Sequence, residues 1–235
     1  MLASVTTVAS CAGGSGSARS TSSSPPTAVQ RGGGRVIVQG NATVDGATFD
    51  ARWVGAVVLR RGLVTPCQES LPPVTNGHYA VPVFSDAESS GCGAPGARIV
   101  LWTFVNQKIL HSTNSVTWPH KGGAVTFTAR YAAADPAGAA PVTAEFTGGV
   151  FRGSERLPPG TRVEAYVGGT RCGIASVRNT PSFAGYILAV VGPDSVAGCT
   201  RGAPLAFRIN GRSATGTNVV NSPPGPQAAL DLQLP

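Results

Sequence analysis

The chain has 235 residues, room for one large domain or two of about 100 residues, and a net charge of +7. Charged residues make up 12% of it, and the basic ones are spread evenly: eight basic against five acidic side chains in residues 35–131, and the same again in residues 140–235. No run of 18 apolar residues exists to form a membrane-spanning helix, and an even spread argues against a nucleic-acid face, which needs clustered basic residues.

Residues Leu2 to Ala9 form a short, mildly apolar run that ends in Val8-Ala9-Ser10-Cys11. From Ala12 to Gly34 the chain is Gly, Ser, Pro, Thr and Ala with no apolar period, the composition of a flexible tether. The Val-Ala-Ser-Cys run resembles a bacterial lipobox. That resemblance implies a signal peptide cut before Cys11 and a lipid attached to its thiol. Met1-Leu2 leaves no basic stretch ahead of the apolar run, which is how the segment departs from a full secretory signal. An ordinary N-terminal segment with a spare cysteine is the alternative.

Beyond the tether, low charge, 31 Gly and 19 Pro, with much Val, Thr and Ala, favour strands and turns over helices. Two stretches read alike. The first runs Thr65-Pro66-Cys67, Gly77-His78-Tyr79, Gly91-Cys92 and the apolar strand Ile99–Trp102. The second runs Thr170-Arg171-Cys172, Gly185-Tyr186, Gly198-Cys199 and the strand Leu205–Phe207. A repeat argues for pairing within each copy, Cys67 with Cys92 and Cys172 with Cys199. Zinc would need close pairs such as Cys-x-x-Cys, which the sequence lacks.

Period-two alternation marks half-buried strands at Val125–Tyr131, Val163–Val167, Leu205–Ile209 and Leu230–Leu234. Tyr186 to Val191 is apolar throughout and predicts a central strand. Asn210-Gly211 is a hairpin turn, and Asn76-Gly77 marks a turn ahead of Tyr79. The Ala-, Pro- and Gly-rich residues 132–141 read as a joint. The expected fold is all-β: a tether (1–34), then two tandem antiparallel β-sandwich modules (35–131 and 142–235).

The second copy, with Pro159-Gly160-Thr161, Ala165-Tyr166-Val167, Cys172-Gly173, Tyr186 and Gly192-Pro193-Asp194, is similar to carboxypeptidase-regulatory-like and transthyretin-like (Ig-like) sandwiches of bacterial surface proteins. Such modules are accessory and not catalytic, so the resemblance implies a non-enzymatic role in structural spacing or adhesion.

No serine elbow, phosphate loop or His-Glu-x-x-His motif appears, and no cofactor is implied. His78 with Asp86 and Glu88 forms the sole candidate metal set, its alternative being a solvated acidic loop. All three Trp lie in the first copy. Sugars stack on exposed indole faces, so Trp118 with His120, and Trp102 beside them, are the candidate ligand-binding residues. The alternative places these rings in a core. The expectation is an extracytoplasmic monomer, secreted or lipid-anchored, whose partners are cell-envelope glycans or surface proteins and not nucleic acid.

Overall fold

The computed structural model describes residues 34–180, 183–215, 218–225 and 227–235. Among them the fold is all-β, with no helix. The lipidation candidate Cys11 and the tether lie outside the described residues, apart from Gly34.

The first half builds ten strands: β1 (Val36–Val44), β2 (Ala47–Thr48), β3 (Val54–Arg60), β4 (Leu63–Pro66), β5 (His78–Val83), β6 (Arg98–Val105), β7 (Lys108–His111), β8 (Val116–Thr117), β9 (Gly123–Thr126) and β10 (Ala129–Tyr131). One layer pairs β1 antiparallel with β5 and parallel with β9. The facing layer runs β4-β3-β6-β7, with β8 also on β6. Alternate side chains from both layers meet inside: Val36, Val38 and Val81 against Ala56, Val58, Ile99 and Leu101.

The predicted strand Val125–Tyr131 keeps its alternation but divides into β9 and β10. The division follows from β1, which pairs with β5 and β9 along its first part and with β2 and β10 along its second. At the change-over Gly40 has φ +148°, and the Phe127 carbonyl occupies the space a Cβ would need. Only glycine fits that backbone and that approach.

The second half contains β11 (Thr143–Gly148), β12 (Val150–Arg152), β13 (Glu155–Arg156), β14 (Arg162–Val167), β15 (Thr170–Ser176), β16 (Arg178–Thr180), β17 (Phe183–Val191), β18 (Ala206–Ile209), β19 (Arg212–Ser213), β20 (Ala228–Ala229) and β21 (Leu232–Leu234). The sheet β16-β17-β11-β20 faces β15-β14-β18-β19, and β13-β12-β21 forms a third, three-stranded sheet. The apolar run at Tyr186–Val191 lies in β17, where it pairs with β11, while residues 183–185 of the same strand pair with β16. Here too β11 pairs parallel with β20, and β12 parallel with β21. Apart from these closures beside the first strand of each half, strand pairing is antiparallel.

Cys67 is bonded to Cys92, and Cys172 to Cys199, with Cα atoms 5.5 and 5.6 Å apart. The Asn76-Gly77 and Asn210-Gly211 turns have both residues at positive φ, as two-residue hairpin turns require.

One departure from simple alternation decides how the halves relate. Val54 to Leu59 of β3 are buried on both faces. Val54, Ala56 and Val58 face the first half's own core, whereas Val57 and Leu59, with Leu63, Val64 and Val100, join the apolar cluster of the second half.

Candidate functional site

The structure separates the candidate ligand-binding residues. Trp118 is 1% exposed. Its backbone N–H donates to the Ala97 carbonyl (2.7 Å), and its ring fills the space left by Gly93, the residue after Cys92. The indole packs in the inner core of the first half and offers no face to a sugar. Trp102 lies on the other side of the β3–β6 layer, half-buried across Gly55 and against the second half's cluster. His120 is exposed. A shared site built from these three residues is therefore corrected: a sheet stands between the two indoles.

The His78 set does not assemble either. Asp86 accepts from the Gly91 N–H (2.8 Å) and pairs with Arg60, and Glu88 caps Ser85 and pairs with Arg35. Burial raises the Glu88 carboxyl, but hydrogen bonds from Ser85 and Arg35 outweigh it and hold the group below its usual range. Among the described residues no group of three His, Cys, Asp or Glu side chains is placed to hold a metal ion.

An exposed aromatic strip appears elsewhere, on the outer face of β6 and β7. Phe104 is 39% and Ile109 52% exposed, and the two are opposite each other in register. Trp53 lies beside Phe104, ring centroids 6.3 Å apart, with the Arg52 guanidinium 4.6 Å over its indole. Thr103 pins this end by donating to the Trp53 carbonyl at 2.8 Å. The signal was present in the sequence: Trp102 and Phe104 share one face of a strand, two residues apart.

The second assembled feature is the junction. Thr65 Oγ1 donates to the Ile174 carbonyl (3.3 Å), and the Ser90 N–H donates to Ser176 Oγ (2.8 Å). Arg178 reaches from β16 into the first half and donates to the carbonyls of Pro66 and Gln68, with its guanidinium 5.2 Å over the Phe84 ring. It is 9% exposed, and burial pushes its pKa down to about 10. The guanidinium is thus solvated by backbone carbonyls and an aromatic face, where water would otherwise serve. Beside it lies a cleft of about 450 Å³ lined by Phe84, Val177, Pro159, Glu69 and Glu88.

No protein-family model matches the chain, and no curated protein matches it. Solved structures to which it is similar include a streptococcal ancillary pilin, at 10% identity over 85% of this chain and 62% of that one, with a TM-score of 0.26. The chain thus spans less than two thirds of that pilin's length. Others are the shaft pilin SpaA from Lactobacillus rhamnosus GG (10% identity, 85% and 96% covered, TM-score 0.22) and a fimbrial protein from Bacteroides ovatus (10%, 88% and 50%, 0.22). Superposition at such TM-scores carries no argument about function.

Proposed function

We propose that the chain is an exported, non-enzymatic cell-surface protein in which two tandem β-sandwich modules (residues 35–131 and 142–235, joined by 132–141) act as a stiff unit for structural spacing or adhesion. The carrying observation is the junction. Val57, Leu59, Leu63, Val64 and Val100 of the first half are buried in the second half's core. Interfaces that allow domains to swing are more polar than this. An apolar junction with a buried arginine holds one relative orientation, as a spacer requires.

Duplication is supported by a matched trio in each half. Gly40 lies opposite Tyr79, whose hydroxyl donates to the Phe127 carbonyl; Gly148 lies opposite Tyr186, whose hydroxyl donates to the Leu230 carbonyl. Export is supported by the two disulfides, which form and persist in oxidising compartments. In this reading Cys11 carries the lipid and residues 12–34 hold the modules away from the membrane. Two acyl chains or more are needed for firm anchoring.

Protease shaving of intact cells expressing the chain, with mass spectrometry of Cys11, tests the proposal. Release of fragments from residues 35–235 and a diacylglyceryl mass on Cys11 are expected. A protein protected inside the cell with reduced Cys67 and Cys172 overturns it.

A further inference from the structure

The even spread of charge along the chain conceals a cluster in the fold. Arg60 and Arg61, from the β3–β4 turn of the first half, line one cleft of about 210 Å³ with Arg162 and Arg171 of the second half. Each half supplies two guanidinium groups. Arg171 and Arg162 share the buried Glu164 carboxylate at 2.8 and 3.5 Å, and Arg60 pairs with Asp86 at 3.2 Å. Arg61 has no ion-pair partner among the described residues. Four arginines thus face two carboxylates, leaving the cleft positive.

The backbone at Arg61 is a second, independent observation. Arg61-Gly62 has φ values of +52° and +78°, the same turn as Asp45-Gly46 (+49°, +85°), Asn76-Gly77 (+50°, +73°) and Asn210-Gly211 (+49°, +83°). Three of these four turns place Asp or Asn at the first position, where a short polar side chain eases the left-handed conformation. Arg61 thus holds the positive φ its hairpin turn requires without the short polar side chain that favours it, as Gln107 (+63°) does in the Asn106-Gln107 turn. The turn is also fixed from behind: a Cβ at Gly62 would lie 2.5 Å from the Ser195 carbonyl oxygen. A turn packed against Ser195 therefore presents the one cleft arginine that has no acid partner among the described residues.

We propose that this cleft binds a tetrahedral oxyanion, a phosphate or sulfate group, carried on an anionic polysaccharide. A guanidinium matches two oxygens of such a group with its planar fork, and a site lined by several can take one anion from several sides. The polymer is argued from the neighbouring surface. Arg60 and Arg61 also border an adjoining depression of about 430 Å³ that extends to Arg98, which likewise has no ion-pair partner among the described residues. A chain with repeated anionic groups can place one in the cleft and its next towards Arg98. This site goes beyond the spacer reading and does not depend on it.

The test uses the full chain, with heparin as the sulfated polysaccharide, inorganic phosphate as the free anion and dextran as the neutral polymer, followed by calorimetry and by elution from immobilised heparin in rising salt. Heparin is expected to bind, dextran not, and phosphate to compete. Arg61→Asn keeps the turn and relieves its strain, so its thermal midpoint is expected to equal or exceed that of the parent while heparin affinity falls about tenfold, the scale of one charge-assisted hydrogen bond. Arg152→Gln makes the same charge change at an exposed residue that lines neither depression, on the separate β13-β12-β21 sheet, and is expected to leave affinity within about twofold. Equal losses in the two variants, or no binding of either anion, overturn the proposal. Phosphate binding without heparin binding overturns the polysaccharide as its carrier.

Discussion

The hydroxyl of Tyr186 donates to the backbone carbonyl of Leu230 at 2.6 Å, across the gap where the chain passes from β20 to β21. Tyr79 makes the same bond to Phe127 at 2.5 Å, between β9 and β10. Each bond satisfies a carbonyl that the break between the two strands leaves without a ladder partner. Tyr79→Phe and Tyr186→Phe should each lower stability by about 1–3 kcal/mol, the cost of a polar group left unpaired. Urea denaturation of the oxidised protein measures it.

The same tyrosines set an alkaline limit. Burial pushes both phenols well above their ordinary value, with the Asp231 charge adding to the effect at Tyr186. Above a pH of about 10 the unfolded chain releases these protons while the folded chain retains them. Their contribution is whole below that pH and is lost as pH rises through the folded values. Stability of the parent should decline from about pH 10 upward, and the Tyr79→Phe, Tyr186→Phe double variant should decline less steeply in the same window.

The disulfides span sequence separations of 25 and 27 residues. Chain entropy assigns each about 3.5 kcal/mol, on a model in which the bond mainly restricts the unfolded state. Reduction should therefore lower stability by about 3.5 kcal/mol per bond, read from unfolding midpoints with and without reductant. Trp118 shares the inner core of the first half with Cys67 and Cys92, so its fluorescence should respond to reduction of that bond more than to reduction of Cys172–Cys199.

Much of the fold was legible because it obeys local rules. Val163, Ala165 and Val167 alternate with Arg162, Glu164 and Tyr166, and the structure buries the first set. Glu164 departs from the pattern: it is buried too, because Arg171 and Arg162 neutralise it. Asn-Gly pairs name their own turns, and the repeat names the cysteine partners. What was not legible depends on distant segments. The unbroken apolar run Val54–Leu59 of β3 signals a strand covered on both faces, but it does not say what covers the outer one, because the cover comes from the second half. The arginine cleft is invisible for the same reason: Arg61 and Arg171 are neighbours only after the junction forms. The burial of Trp118 is of the same kind: the space that receives its ring is left by Gly93, a residue 25 positions earlier in the chain.

Trp118 therefore has a stability role. Trp118→Ala removes a fully buried indole, and the resulting cavity should cost about 3–5 kcal/mol. Phe104→Ser, on the exposed strip, should change stability by less than about 1 kcal/mol. Thermal melts of the two variants separate core from surface directly, and a small effect at Trp118 would contradict the packing described.

Glu145 offers an acid-side counterpart to the tyrosines. It stands half-buried on β11 with no ion pair or hydrogen-bond partner among the described residues, and burial raises its carboxyl above the usual range. A raised folded value means that its contribution is whole below the ordinary carboxylate range, about 4.3, and is lost as pH rises through the folded value. Above the ordinary range the folded chain must either hold this proton against the solvent or ionise the group in its desolvated place, and both lower stability. Glu145→Gln should leave stability unchanged near pH 4 and raise it at pH 7, as thermal melts at the two values would show.

Arg178 decides whether the halves behave as one body. Its guanidinium spans the junction to the Pro66 and Gln68 carbonyls. Arg178→Met retains an apolar stem against Phe84 and abolishes both bonds, leaving carbonyls from the first half without donors. Each such loss costs about 1–3 kcal/mol. That cost falls on the interface and not on either core, so it should weaken the coupling between halves more than the halves themselves. Scanning calorimetry should show one cooperative transition for the parent and two for Arg178→Met. A single transition in the variant at an unchanged midpoint would mean that the apolar contacts of Val57, Leu59 and Leu63 hold the junction without the arginine.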